Sequence, residues 1–129
     1  MTRQAVSTAA APLPVGPYSQ AITTGDFVFC SGQVGLDPAT GELVQGGIEA
    51  QVERAIRNLE AVLEAAGCTF VDVVKTTCFL ADSAYFEKFN ATYARFMPDP
   101  PPARSTFAVK ALPKAALVEI EAIAVRSRA

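Results

Sequence analysis

The chain has 129 residues, of which 50% are hydrophobic, and its formal net charge is −2. This length predicts one domain, residues 1–129, with a hydrophobic core of its own, and the balanced charge, without a basic cluster, gives no support for nucleic-acid binding. Histidine is absent, which excludes His-based catalytic triads and His metal sites.

The three cysteines, Cys30, Cys68 and Cys78, have no CxxC spacing. An odd number of cysteines without a secretory signal predicts reduced thiols in a cytoplasmic protein. Cys30 and Cys78 stand in apolar runs, which is more typical of small core residues than of nucleophiles. Because the N-terminus has no long apolar run, we expect neither a secretory signal nor a membrane span.

The N-terminal segment, residues 1–14, is predicted to be a loosely held arm. A Gly16-Pro17 turn then leads into Tyr18 and a short strand at 21–24. Tyr18 is either a half-buried aromatic at a strand start or a phenol that lines a pocket, and the pattern does not separate these alternatives.

The next strand is predicted at 27–34, and Gly32 interrupts it. A glycine inside a strand indicates a bulge, which is the commoner case, or a close approach of another group to the backbone. The segment 37–41 has the Asp, Pro and Gly of a turn. Residues 42–44 then form a possible third strand.

Two helices and one long strand occupy the middle of the chain. Apolar residues recur at helical spacing over 48–66, which predicts an amphipathic helix without catalytic groups. The segment 71–81 is rich in Val and Thr and is predicted to be a strand. The segment 82–96 begins with residues that cap helices and continues as an aromatic stripe. Asn90 lies beside this stripe and needs hydrogen-bond partners if it is buried.

Two further strands are predicted within 100–109 and 116–125, joined by a Pro-containing connection. In the second strand, Glu119 and Glu121 interrupt one otherwise apolar face. Arg104 is the single cation of the first strand. An arginine and a carboxylate on neighbouring strands indicate a site for a small anion, but a cross-strand ion pair is the commoner explanation.

The element order β-β-(β)-α-β-α-β-β predicts an α+β fold, with a single mixed sheet and both helices on one face. The other face would carry Leu117, Ile123 and Val125 beside the two glutamates. Such an apolar face is not expected to stay in contact with water. We therefore expect another subunit to cover it, and a pocket with Arg104 to lie near a subunit interface.

Six short motifs occur in an order that is highly specific as a set and spans almost the whole chain. They are Gly16-Pro17-Tyr18, Ser31-Gly32-Gln33, Asp37-Pro38-x-Thr40-Gly41, Asn90-Ala91-Thr92-Tyr93, Pro102-Ala103-Arg104-Ser105 and Glu119-Ile120-Glu121-Ala122-Ile123-Ala124. On these residues the chain closely resembles the reactive-intermediate deaminase (Rid, or YjgF-like) family, whose members are also described as endoribonucleases or translation inhibitors.

The resemblance implies a chorismate-mutase-like fold and a homotrimer whose three sheets form a central barrel, with the sites in clefts between subunits. It also implies hydrolysis of reactive 2-imino acids, such as 2-iminobutanoate and 2-iminopropanoate, to 2-keto acids and ammonia. No metal and no cofactor are implied.

The same resemblance implies residue roles. Arg104 would bind the substrate carboxylate, and Glu121 would hold and orient the attacking water as general base. Glu119 has no catalytic role carried over, although alternation alone does not rank it below Glu121. The residues expected to line the substrate pocket are Tyr18, Ser31, Gly32, Asn90, Ser105 and Thr106.

Two positions depart from the family pattern. Thr106 stands where many of the deaminases have cysteine, which is tolerable if the backbone amide of this position acts. Gly35 stands where the loop often has proline, and we expect only a change in loop stiffness.

Two other functions remain as alternatives. The first is a non-catalytic binder of keto acids or a chaperone-like protein, for which Arg104 alone would serve. The second, less favoured, is an endoribonuclease or translation inhibitor, which the lack of a basic patch and of histidine disfavours.

Overall fold

A computed structural model describes residues 2–126 as a six-stranded sheet with two α-helices. The strands lie side by side in the order β1-β2-β3-β6-β4-β5, and β4 and β5 are parallel whereas the other neighbours are antiparallel. The elements are β1 (Arg3–Val6), β2 (Ala21–Thr24), β3 (Phe27–Val34), α1 (Gly47–Ala65), β4 (Val73–Leu80), α2 (Phe86–Ala94), β5 (Ala103–Ala108) and β6 (Val118–Val125). The predicted fold, a single mixed sheet with two helices on one face, is confirmed.

Helix α1 confirms the amphipathic segment predicted at 48–66, and its buried stripe packs on β3 and β6. The chain leaves the helix at Gly67, whose φ of +82° is favourable for glycine. Two buried residues of this stripe are polar, namely Gln51 and Asn58. The apolar stripe drives the packing, since it removes hydrophobic surface from water.

The N-terminal segment differs from the prediction of a loose arm. Strand β1 pairs with β2 along the edge of the sheet. The buried Gln20 holds the segment that follows: its Oε1 accepts from Thr8 N at 2.7 Å, and its Nε2 donates to Pro12 O at 2.9 Å. The prediction was wrong because strand pairing and one buried amide, neither of which is a local signal, fix this segment.

Two strand boundaries also differ. The possible third strand at 42–44 is reduced to a bridge between Leu36 and Leu43. Strand β4 starts later than predicted, because Phe70–Asp72 forms a 3-10 turn that Thr69 caps.

The two faces of the sheet differ in exposure, as the alternation of β6 predicts. Its residues Val118, Ile120, Ala122 and Ala124 are buried under the helices. The opposite face, which we call the open face, carries several aromatic side chains. In the single chain Phe27, Phe29 and Phe107 are 47%, 44% and 54% exposed. We expect another subunit to cover this apolar surface.

The cysteines are buried and free. Burial raises the pKa of the Cys30 thiol to about 12 and that of Cys78 to about 11. A reactive thiol needs a lowered pKa, so these two are core residues, as predicted. Over residues 2–126, neither helix has the length and apolar character needed to cross a membrane.

Candidate functional site

The first cleft lies where β3 and β6 meet the loops before β2 and before β6. We call it the glutamate cleft. It is lined by Val15, Tyr18, Ser31, Gly32, Lys114 and Glu119. Val34 and Leu36 form the apolar wall that continues from it. A carboxylate and a phenol therefore lie beside an apolar surface, which is the usual composition of a small-molecule pocket, whereas the ammonium group of Lys114 donates to Gly41 O at 3.0 Å.

Gly32 allows the Glu119 side chain to reach this cleft. A Cβ atom at Gly32 would lie 2.5 Å from Glu119 Oε2 and 2.7 Å from its Cδ. The pairing of β3 with β6 also shifts register between Cys30 and Gln33. Both alternatives proposed for a glycine inside this strand are therefore confirmed, because Gly32 lies in a bulge and a side chain approaches its backbone.

The surroundings of Glu119 make its carboxyl harder to ionise than a carboxyl in water. Burial raises the pKa of the Glu119 carboxyl above its ordinary value, and the charge of Glu121 raises it further. Glu119 is half-buried, whereas Glu121 is exposed in the single chain. A carboxylate with a raised pKa is a stronger base when ionised, which suits proton abstraction from water.

The second cleft lies on the helix side of the sheet, between α2 and the edge strand β5. We call it the arginine cleft. It is lined by Asn90, Tyr93, Met97, Asp99, Pro101 and Arg104. The guanidinium carbon of Arg104 lies 5.0, 5.4 and 5.8 Å from the ring centroids of Tyr93, Phe89 and Phe86. These cation–π contacts hold the guanidinium without using its hydrogen-bond donors.

Arg104 has no ion-pair partner within residues 2–126, although Asp99 lines the same cleft. The structure thus does not support a cross-strand ion pair of Arg104 with Glu119 or Glu121 inside one chain. Two buried polar atoms also lie on this side of the sheet: within the described part of the chain, Asn90 Oδ1 has no hydrogen-bond partner, and Thr106 Oγ1 has only the weak one that the Cys78 thiol offers. Buried polar atoms normally have partners, so this cluster is suited to a polar ligand.

The sequence and the fold of the chain both match those of known proteins. A family model described as endoribonuclease L-PSP matches residues 8–126. The chain belongs to this family, which is the Rid/YjgF family that the ordered motifs indicated.

Three of its relatives show how close the likeness is. A human protein named 2-iminobutanoate/2-iminopropanoate deaminase is 44% identical over 98% of this chain and 92% of its own. The structure of RidA from an Antarctic Psychrobacter is 43% identical, with a TM-score of 0.92 over 95% and 98% of the two chains. That of Escherichia coli TdcF with bound serine is 38% identical, with a TM-score of 0.90 over 96% and 99%.

The site residues that the Rid resemblance implies lie in three separate regions of one chain: the glutamate cleft, the arginine side of β5 and the open face. Tyr18, Ser31 and Gly32 lie in the glutamate cleft. Asn90 and Arg104 lie in the arginine cleft, and Thr106 points to the same side of β5 as Arg104, because alternate residues of a strand share a face. The site predicted from the sequence is therefore divided between clefts on two sides of the sheet.

The other two predicted residues lie on the open face. Glu121 and Ser105 both pair with Thr77 of β4, one from each side. Ser105 Oγ accepts from Lys75 Nζ at 3.0 Å. Since Arg104 pairs with Thr76 and Glu121 with Thr77, the proposed catalytic pair lies on opposite faces of the sheet.

Ser31 is in the glutamate cleft, but its hydroxyl already has a partner. Its Oγ donates to Ser19 O at 2.6 Å, and its backbone N donates to Gln20 O at 2.9 Å. Its oxygen can still accept a bond from a ligand. Contact with substrate through Ser31 remains a prediction.

Sequence reasoning gave Glu119 no role, although this glutamate lies in the glutamate cleft. The alternation of β6 puts Glu119 and Glu121 on one face, and nothing local ranks one above the other. The deciding contact is with Gly32 on β3, and the strand pairing that creates it is not local.

Proposed function

We propose that the chain hydrolyses reactive 2-imino acids, such as 2-iminobutanoate and 2-iminopropanoate, to 2-keto acids and ammonia. The observation that carries the proposal is the arginine cleft, where a guanidinium without an ion-pair partner in the described chain lies with Asn90, whose buried Oδ1 has no hydrogen-bond partner there. Such a group is ready to bind a small carboxylate in a bidentate manner. The deaminase names of close relatives support the substrate class.

We propose further that one complete site forms between two copies of the chain in a homotrimer. Arg104 and Glu119 lie in different clefts of one chain, so a single chain does not bring both to one substrate. The open face is rich in exposed aromatic residues, and burying it between copies removes apolar surface from water. The arginine cleft of one copy would then face the glutamate cleft of its neighbour, in agreement with the sites between subunits that the family resemblance implies.

In this mechanism Arg104 binds the carboxylate of the imino acid, a charge-assisted contact worth roughly 1.5–3 kcal/mol. A glutamate accepts a proton from water as the oxygen adds to the imine carbon. The glutamic acid then returns the proton to nitrogen. As the C–N bond breaks, the hydroxyl proton of the tetrahedral adduct passes through the same carboxylate to the departing nitrogen, which leaves as ammonia, and the 2-keto acid remains. Water supplies the carbonyl oxygen, and no electrons are exchanged with another reactant.

We propose Glu119 as this base in place of Glu121. Glu119 lies with Tyr18 and Lys114 in one cleft, and its pKa is raised by burial. Glu121 lies on the same face of the sheet as Glu119, but it is exposed in the single chain, pairs with Thr77 and is not among the residues that line the two clefts. The Glu121 assignment stays the alternative, and the two are separated by single substitutions described in the Discussion.

The alternatives make different demands on the same groups. A binder of keto acids would need Arg104 but would gain nothing from a carboxylate near the bound anion. An endoribonuclease, which the description of the family model names, would need contacts to phosphates, and the chain has a net charge of −2 and no histidine. No feature of the two clefts favours RNA over a small acid.

The test is a coupled assay in which a threonine dehydratase generates 2-iminobutanoate and semicarbazide competes for it. We expect the protein to accelerate release of 2-oxobutanoate and Arg104→Ala to lose this effect while keeping its fold by circular dichroism. The matched control is Arg57→Ala, which removes an exposed arginine of α1 that pairs with Glu60. Binding of 2-oxobutanoate without turnover would establish the binder instead, and full activity of a folded Arg104→Ala would refute the assignment.

A further inference from the structure

Two buried amide side chains of α1 form hydrogen bonds to the backbone of the segments that build the glutamate cleft. We propose that Gln51 and Asn58 are positioning residues for Glu119, because they fix the two backbone segments that build the cleft. This inference rests on the proposed function and adds residues to it. The two residues are seven positions apart, two helical turns, and therefore lie on one face of α1.

Asn58 fixes the wall that comes from β3. Its Nδ2 donates to Val34 O at 3.1 Å and to Leu36 O at 2.8 Å. Its Oδ1 accepts from Arg54 Nε at 3.1 Å, so both ends of the amide are used. Asn58 is fully buried, and Val34 pairs in register with Glu119. Asn58 therefore holds the segment 34–36 against α1 at the position where β3 pairs with Glu119.

Gln51 fixes the segment that leads into Glu119. Its Oε1 accepts from Leu117 N at 2.9 Å, and Leu117 O accepts from Ala81 N at 3.0 Å. Leu117 precedes Glu119 by two residues and is thus held on both sides, by α1 and by the end of β4. The direction in which Glu119 leaves the strand depends on this anchor.

Gly35 lets the same wall approach the helix closely. A Cβ atom at Gly35 would lie 2.8 Å from both Cα and O of Gln51. The expectation that a glycine here changes only loop stiffness is therefore incomplete, because the position is also a contact with the α1 backbone. Gly35, Gln51 and Asn58 together form one junction between α1 and the cleft.

These amides are more than core fillers. Their neighbours on the buried face of α1 are apolar, including Val52, Ile56 and Leu59. A buried amide is costly unless its hydrogen bonds are made, so a helix that only covered the sheet would use aliphatic residues here. The amides instead bind backbone atoms of the segments that carry the cleft.

The expected consequence of losing an anchor is a displaced and more hydrated Glu119. Reaction rates fall steeply when a catalytic group moves, by roughly a hundredfold for a displacement near 1 Å, so we expect kcat to fall at least about tenfold. KM should change little, since the carboxylate is bound at Arg104 in the other cleft. Water entering the cleft should lower the pKa of Glu119, because burial is the main cause of its rise and the charge of Glu121 the second.

The experiment uses three variants of the full chain: Asn58→Leu, Gln51→Met and Gly35→Ala. The first two remove the anchoring groups at nearly constant shape, and the third keeps both amides but pushes the wall away from α1. The control is Val62→Ala, which makes a cavity on the same helix without contacting the cleft. The readouts are kcat and KM for the imine, and the pKa of the Glu119 carboxyl measured by carbon-13 NMR.

We expect the folded anchor variants to lose kcat at nearly constant KM and to show a lower Glu119 pKa, with neither change in Val62→Ala. Values equal to those of Val62→Ala would overturn the inference. If Asn58→Leu does not fold, Gln51→Met and Gly35→Ala decide the question. If the wild-type protein hydrolyses no imine, the proposed function fails, and the Glu119 titration alone decides whether the anchors position this group.

Discussion

The carboxylate of Glu119 lies against the backbone of Gly32, where a Cβ atom would come within 2.5 Å of Oε2. The two residues meet because β3 bulges between Cys30 and Gln33 as it pairs with β6. The glycine thus makes room for the group that we propose as the base, and the contact fixes where that group lies in the cleft.

Gly32→Ala should therefore displace Glu119 while leaving the fold in place. The clashing atoms belong to the end of a side chain that can rotate away, so we expect a loss of stability of only about 1 kcal/mol. We expect kcat for 2-iminobutanoate to fall by roughly a hundredfold, because the base is misplaced. Thermal unfolding and the coupled assay measure the two effects.

The control for this substitution is Gly16→Ala. An added Cβ there would lie 3.7 Å from the ring of Tyr18, a residue that lines the same cleft, and this distance is an ordinary contact. We expect nearly wild-type activity from it. A Gly32→Ala protein as active as Gly16→Ala would show that the position of Glu119 does not matter to the reaction.

The pH dependence separates the two glutamates. Glu119 acts as a base only when ionised, and its pKa is raised by burial and by Glu121. On the acid side of the profile, kcat/KM should therefore fall at a pH above the ordinary pKa of a glutamate. Glu121→Gln removes one cause of the shift, so this fall should move to lower pH while the plateau rate is kept. Glu119→Gln should abolish the reaction at every pH.

The opposite pattern would restore Glu121 as the base. In that case Glu121→Gln would lose the plateau rate, and Glu119→Gln would keep it. Binding of 2-oxobutanoate to both variants, followed by NMR, serves as the control, because the carboxylate is bound by Arg104 in either scheme.

Much of the fold could be predicted from local patterns. The 3.6-residue period of 48–66 and the alternation of 118–125 reflect which side of each element is buried, and both are local properties. The contact between Glu119 and Gly32 could not be predicted, because it depends on the register of β3 against β6. For the same reason the opposite orientations of Arg104 and Glu121 appear only when β5, β4 and β6 are paired.

For Gln51 and Asn58, the sequence predicts that the side chains are buried but does not predict what they bind. Their positions on the buried face of α1 follow from the helical period, so two amides among aliphatic residues are a signal that the sequence does contain. Their partners are the backbone atoms of Val34, Leu36 and Leu117, far away in the chain. The sequence could therefore indicate that these amides bind something, but not what.

Thr106→Val tests what the hydroxyl of Thr106 contributes. In the part of the chain that the structure describes, the buried Thr106 Oγ1 has only the weak partner that the Cys78 thiol offers. Removing a buried hydroxyl that makes so little hydrogen bonding should change stability by no more than about 1 kcal/mol, and valine suits a strand. If the backbone amide acts, kcat/KM should stay within about threefold of wild type, a difference below 1 kcal/mol.

The matched variant Thr106→Cys supplies the thiol that the family resemblance implies at this position. Similar rates for threonine, valine and cysteine would support action through the backbone. A large loss in Thr106→Val alone would show that the hydroxyl contacts the substrate or the water, and a large gain in Thr106→Cys would show that a thiol improves catalysis.

Mixing two inactive variants tests whether the site forms between copies. Arg104→Ala lacks the carboxylate ligand, and Glu119→Gln lacks the base. If Arg104 of one copy meets Glu119 of the next around a three-fold ring, every mixed trimer has one intact site in three. Random assembly at equal amounts makes about three quarters of the trimers mixed, so activity should recover to about a quarter of wild type.

The two variants are co-expressed with different affinity tags, and mixed assemblies are isolated by sequential purification, which should raise the recovered activity from about a quarter to about a third of wild type. Each variant alone, purified in the same way, gives the background. If both groups instead acted within one chain, each chain would lack one of them and no mixing ratio would restore turnover. Recovery would therefore locate the catalytic pair across an interface, and light scattering on the same samples would show whether the ring has three members.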